Sequence, residues 1–61
     1  MIATVVKADV IEPITDQNWI EHDFTFELEN GTRFIKRDLL FKYDLGEKYN
    51  VNFEIGDVVN D

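Results

Sequence analysis

The chain has 61 residues, room for one domain and no second. Thirteen carboxylates against six Lys and Arg give a net charge of −7, a field that repels polyanions and disfavours direct nucleic-acid binding. There is no cysteine, so neither a disulfide nor a thiolate metal site can brace the fold. With 44% hydrophobic residues and eight aromatics (one Trp, two Tyr, five Phe), the chain is too rich in core formers for a disordered tail. A domain of this size buries only about 60% of its unfolded surface, so it must fold on apolar burial alone or gain more by self-association.

Ile2 to Ile11 opens with β-branched residues that favour a pleated chain. Strict alternation places Val5 and Val6 on opposite faces, as in a barrel-closing strand that bends or is covered on both sides. Pro13 ends this strand, and 13–18 form a polar loop. From Ile20 onward His22, Phe24, Phe26 and Leu28 share one parity, with Trp19, Glu21, Asp23, Thr25, Glu27 and Glu29 on the other. This period of two predicts a half-buried strand with carboxylates in water.

Asn30-Gly31 after that strand is a strong hairpin signal. A two-residue turn pairs Phe26 with Ile35 and buries Arg33 and Arg37. A three-residue turn with left-handed Gly31 pairs Phe26 with Phe34 and turns Arg33, Ile35 and Arg37 outward. Burying two arginines is costlier, so the longer turn is expected. From Asp38 to Gly46, an N-cap candidate, apolar Leu39, Leu40 and Tyr43 and a terminal glycine predict a helical turn. The competing form is a strand at 39–43 pairing Phe41 with Tyr49. Tyr49, Val51, Phe53 and Ile55 then alternate with polar residues as a strand over 49–55, and Val58-Val59 adds a short last one. The expected fold is one mostly β domain over 1–61. It is a small antiparallel curled sheet or partly open barrel of four or five strands, with one short helical turn.

Catalytic chemistry is poorly supplied. There is no serine or cysteine, no glycine-rich phosphate loop, and no histidine–carboxylate constellation around the threonines. The expectation is a non-enzyme without cofactor or metal. His22 would need a partner and a pocket to act as a base, and its neighbours Glu21 and Asp23 face away, so it is read as a histidine at the barrel rim. Asp57 is read as a turn residue, and Asn30-Gly31-Thr32 as a turn in place of a glycosylation acceptor. The acids Asp23, Glu27 and Glu29 make a solvated face with Arg33, Lys36 and Arg37 as cross-strand partners. Trp19, at the loop-to-strand junction, suits a binding anchor and a core cap equally.

The plan of Thr4-Val5-Val6 opening a barrel and Leu45-Gly46-Glu47-Lys48-Tyr49-Asn50-Val51 entering its closing strand resembles small SH3-like and OB-like barrels. Its manner is similar to the short acidic proteins of bacteriophages and other mobile elements. That resemblance implies binding in place of turnover. The expected function is a protein-binding module, a phage-type acidic factor that engages a basic host protein, as an inhibitor or a mimic of nucleic-acid charge. The candidate surface is Trp19, Glu21, Asp23, Glu27 and Glu29. The alternative is an assembly subunit that self-associates as a homo-oligomer by sheet edges or an apolar patch such as Ile35, Phe41 and Val59. A third reading, a nucleic-acid barrel using Arg33, Lys36 and Arg37, carries less weight. Without a basic leader or a long apolar run, no membrane span is expected and the cytoplasm, of a bacterial host for a phage protein, is the expected location.

Overall fold

The computed structural model describes residues 1–59. Five antiparallel strands form its framework: β1 (Ile2–Val10), β2 (Glu21–Leu28), β3 (Arg33–Leu39), β4 (Lys48–Asn52) and β5 (Asp57–Val58). Their spatial order is β3-β2-β1-β4-β5, and the sheet curls almost into a barrel. Among the described residues no helix is present.

Alternation in β2 makes the core. Phe24, Phe26 and Leu28 are buried, joined by Ala3 and Val5 of β1, Val51 of β4, and Tyr43. Phe26 lies at the centre: the ring of Phe34 stacks on it at 5.2 Å, and those of Tyr43 and Tyr49 meet it edge-on at 5.3 and 6.3 Å. Offset stacking and edge-on contact suit the aromatic quadrupole and add to the hydrophobic burial.

The β2–β3 hairpin takes the longer turn. Phe26 pairs with Phe34 and Glu27 with Arg33, so Arg33, Ile35 and Arg37 are exposed. Gly31 has φ +88°, a left-handed conformation that side chains disfavour. The Asn30 carboxamide oxygen accepts the Thr32 N–H at 3.0 Å, fixing the turn.

Of the two forms expected at Val5 and Val6, the structure takes the bent one: a β-bulge lets Val5 pair with Phe26 and Lys7 with Thr25, which leaves Val6 as the extra residue and bends the strand. Two expectations require correction. The segment after β3 makes no helical turn and no strand. Asp38 accepts the N–H of its own neighbour Leu39 at 2.8 Å and the Tyr43 hydroxyl at 3.2 Å, so its carboxylate caps no helix. A single reverse turn, with Lys42 N–H donating to Leu39 O at 2.9 Å, then drops Tyr43 into the core. Lastly, β4 stops at Asn52 instead of running to Ile55. The Asn52 side chain accepts the Glu54 N–H and its carbonyl accepts the Gly56 N–H, which turns the chain. Ile55 is left 69% exposed and Phe53 43% exposed.

That turn brings β5 back toward β3. No strand pairing joins them among the described residues, but Phe53 meets Phe34 edge-on at 5.9 Å. Lys36 Nζ of β3 reaches Asp57 of β5 at 3.0 Å. Side chains thus complete the cylinder where main-chain bonds stop. Phe26→Ala should remove about 3–5 kcal/mol, comparable to the whole stability of a small domain, roughly 5 kcal/mol at the low end. Circular dichroism should then record a largely unfolded chain at 25 °C.

Candidate functional site

The outer face of β2 carries the acids singled out in the sequence, and register decides their fate. Asp23 lies opposite Arg37 and Glu27 opposite Arg33. Arg37 grips Asp23 with two N–H groups at 2.9 and 3.2 Å, and Arg33 Nε donates to Glu27 at 2.7 Å. The hydrogen bond from Arg37 holds the Asp23 carboxyl below the usual carboxylate range, and the Arg37 guanidinium rises correspondingly. The middle of the acidic strip is therefore neutralised. Glu29 remains exposed in the hairpin turn, while Glu21 is half-buried within the field of Arg37.

Trp19 belongs to a different surface. Its loop, residues 11–20, is braced by its own polar groups: Thr15 N–H donates to Asn18 Oδ1 at 2.9 Å, Asn18 Nδ2 to Pro13 O at 3.2 Å, and Trp19 N–H to Thr15 O at 3.1 Å. Ile11 anchors the loop in the core at 8% exposure, yet Trp19 stands 63% exposed. Leu40 N–H donates to Ile20 O at 2.6 Å, which ties the turn after β3 to this loop. Leu40 and Phe41 are exposed there too. The result is an apolar end of the barrel built on a rigid loop. Glu12 and Asp16 belong to the same loop and Glu21 follows it at the start of β2, and none of them takes part in the described ion pairs.

Lys36 goes elsewhere than expected. It shares the parity of Phe34, so it points inward and pairs with Asp57 at 3.0 Å and Asp38 at 3.5 Å in place of the outer carboxylates. Tyr43 and Asp57 complete this cluster, which the sequence reading missed. The parity of Lys36 with Phe34 on β3 was the available signal. The bond to Asp57 raises the Lys36 pKa, and the same bond lowers that of Asp57. Burial pushes Asp38 upward but is outweighed by hydrogen bonds from Leu39 N–H, Tyr43 and Lys36, leaving it lowered. Burial first, then the Asp38 charge, drives the Tyr43 hydroxyl far up. The shifts favour a charged Lys36, Asp38 and Asp57 beside a neutral Tyr43 hydroxyl. His22 lies opposite Asp38 in register, with Nδ1 buried and without a partner. Among the described residues no group of three or more His, Asp or Glu is placed to hold a metal ion.

The apolar set Ile35, Phe41 and Val59 is not one patch. Phe41 follows Leu40 at the start of β2, whereas Val59 bonds to Asn50, opposite Ile2 beside the end of β2. All three are exposed, and Ile35 lies in mid-strand on β3, opposite Thr25.

The lowered carboxylates Asp23, Asp38 and Asp57 stabilise the fold above their unfolded pKa near 4, and that stabilisation is lost as pH falls through their folded values. The raised Lys36 contributes below its unfolded pKa and is lost only in strong alkali. Lys36→Met should lower Tm at pH 7 by about 4–8 °C, corresponding to roughly 1 kcal/mol. It should also flatten, without abolishing, the fall in Tm between about pH 5 and 3, because Asp23 keeps Arg37. Thermal melts across this range check both.

No protein-family model, curated protein or solved structure matches this chain.

Proposed function

We propose that this is a non-enzymatic protein-binding module whose contact surface is the apolar end around Trp19. The single observation that carries this reading is a tryptophan 63% exposed on a loop braced by its own hydrogen bonds, next to exposed Leu40 and Phe41. An exposed aromatic on a rigid support gives a large contact area at small entropic loss, which is the character of binding anchors. The partner is a protein with a basic surface, because Glu12 and Asp16 lie on the Trp19 loop, Glu21 follows it, and the chain carries −7 overall. On this reading the module is a phage-type acidic factor that occupies a basic host surface. Relative to the strip Glu21, Asp23, Glu27 and Glu29, the weight moves toward Trp19, since Arg37 and Arg33 already occupy Asp23 and Glu27.

Nucleic-acid binding is less well supported. Arg33, Lys36 and Arg37 are each engaged by a carboxylate, and a phosphate would have to displace it. A second reading, an assembly subunit, has one observation in its favour: among the described residues, β1 beyond Val5 has no strand on its outer edge.

Trp19 is the sole tryptophan, so its emission reports on this surface directly. Titration with a peptide of alternating Arg and Leu should shift the emission to the blue, with affinity falling as salt rises. Glu12→Gln, Asp16→Asn and Glu21→Gln combined should weaken binding roughly tenfold at low salt. A response to the peptide unaltered by that triple change would refute the basic-partner reading.

A further inference from the structure

β1 is shared between two neighbours only over its first half. β4 pairs with Ile2–Thr4, and Val5 exchanges hydrogen bonds with Gly46 and Glu47. Among the described residues, Val6 to Val10 pairs with β2 alone, and all five residues are exposed, Ala8 included.

The direction of the main-chain groups on this stretch follows from the register. Leu28 N–H donates to Thr32 O and Leu40 N–H to Ile20 O, so the even-numbered residues of β2 bond toward β3. Bonding alternates along an antiparallel strand, so the odd ones, Asp23 and Thr25, bond toward β1, where they face Asp9 and Lys7. Ala8 and Val10 therefore aim N–H and C=O away from β2, into the open edge. Val5 supports this: it lies opposite Phe26, and its own main-chain bonds point away from β2.

An open row of donors and acceptors invites another strand, and the sequence along it says which. Val6-Lys7-Ala8-Asp9-Val10 is complementary to its own reverse. We infer that this edge pairs antiparallel with β1 of a second copy about a two-fold axis at Ala8. Ala8 and Ala8 of the partner subunit then form a hydrogen-bonded pair. Lys7 faces Asp9 of the partner subunit, and Asp9 faces Lys7 of the partner subunit. These are non-hydrogen-bonded positions, where opposed side chains come closest. Val6 and Val10, 37% and 50% exposed, face each other across the join. In the free chain Lys7 and Asp9 hold each other along the strand at 3.6 Å, and pairing exchanges this for two cross-strand contacts. Sliding the register by two residues sets Asp9 against Asp9 of the partner subunit, a like-charge clash. The charges thus select one register and one partner, and deter unrelated strands.

This inference rests on the self-association reading, and sedimentation equilibrium of the full chain separates the two. The wild type should form a dimer. Lys7→Asp and Asp9→Lys, each first verified as folded by circular dichroism, should each raise the dimer dissociation constant at least about tenfold, because each sets two like-charge pairs across the join. Mixed in equal amounts, the two variants regain opposite charges at every position and should restore a heterodimer of near wild-type affinity. A wild type that stays monomeric up to about 1 mM overturns self-association altogether. A dimer that forms equally well in each single variant leaves self-association standing and overturns this edge and register.

Discussion

The pairing of Phe26 with Phe34 governs everything else in this molecule. It is a one-residue choice made at Glu29-Asn30-Gly31, where the positive φ of Gly31 admits the longer turn. With that register Phe34 stacks on Phe26, Arg33 and Arg37 land on the outer carboxylates, and Lys36 turns inward to Asp57. A slip of one residue would bury both arginines, strand Asp23 and Glu27, and remove the contact that brings β5 to β3. Hairpin register, ion pairing and barrel closure are one decision, because side chains alternate with a period of two.

The charges, viewed through this register, fall into distinct populations. Half-buried Lys36 and Asp38, with the more exposed Asp57, join β3 to β5. Outer pairs at Arg33 and Arg37 are exposed, salt-screened and weak in stability, but they cancel the acids that otherwise look most available. Glu12 and Asp16 of the loop around Trp19 take part in none of the described ion pairs, as is true also of Glu29, Asp44, Glu47 and Glu54, but these two share their loop with the exposed tryptophan. A protein of this size gains recognition chiefly from where its few uncompensated charges sit beside exposed apolar groups, and here both meet on a loop that its own hydrogen bonds keep rigid.

Much of the framework was legible in the sequence, and the reasons are local. Phe24, Phe26 and Leu28 alternate with acids, Asn30-Gly31 dictates a turn, and the penalty of burying arginine picks its length. What escaped was decided at a distance or by side chains that compete with the ladder. The Val5-Val6 doublet marked the irregularity in β1, but only the pairing with β2 makes it a bulge. Asn52 ends β4 by bonding its own following main chain, although Phe53 and Ile55 continue the alternation. Asp38 has the look of a helix cap until Tyr43 and Lys36 take its oxygens. For the candidate site, the exposure of Trp19 was left open by sequence because its loop is fixed by Thr15 and Asn18, not by periodicity. The inward Lys36 was implied by the favoured turn but obscured by its nearness to two outward arginines.

The junction between β3 and β5 differs in kind from every other joint in the sheet. Elsewhere neighbouring strands are sewn by amide hydrogen bonds that are indifferent to salt and proton concentration. There, an ammonium group, a carboxylate and two phenyl rings form the clasp. Such a cylinder can unlatch along one line without losing a single rung of its ladder, and the medium around it sets how firmly the latch is held.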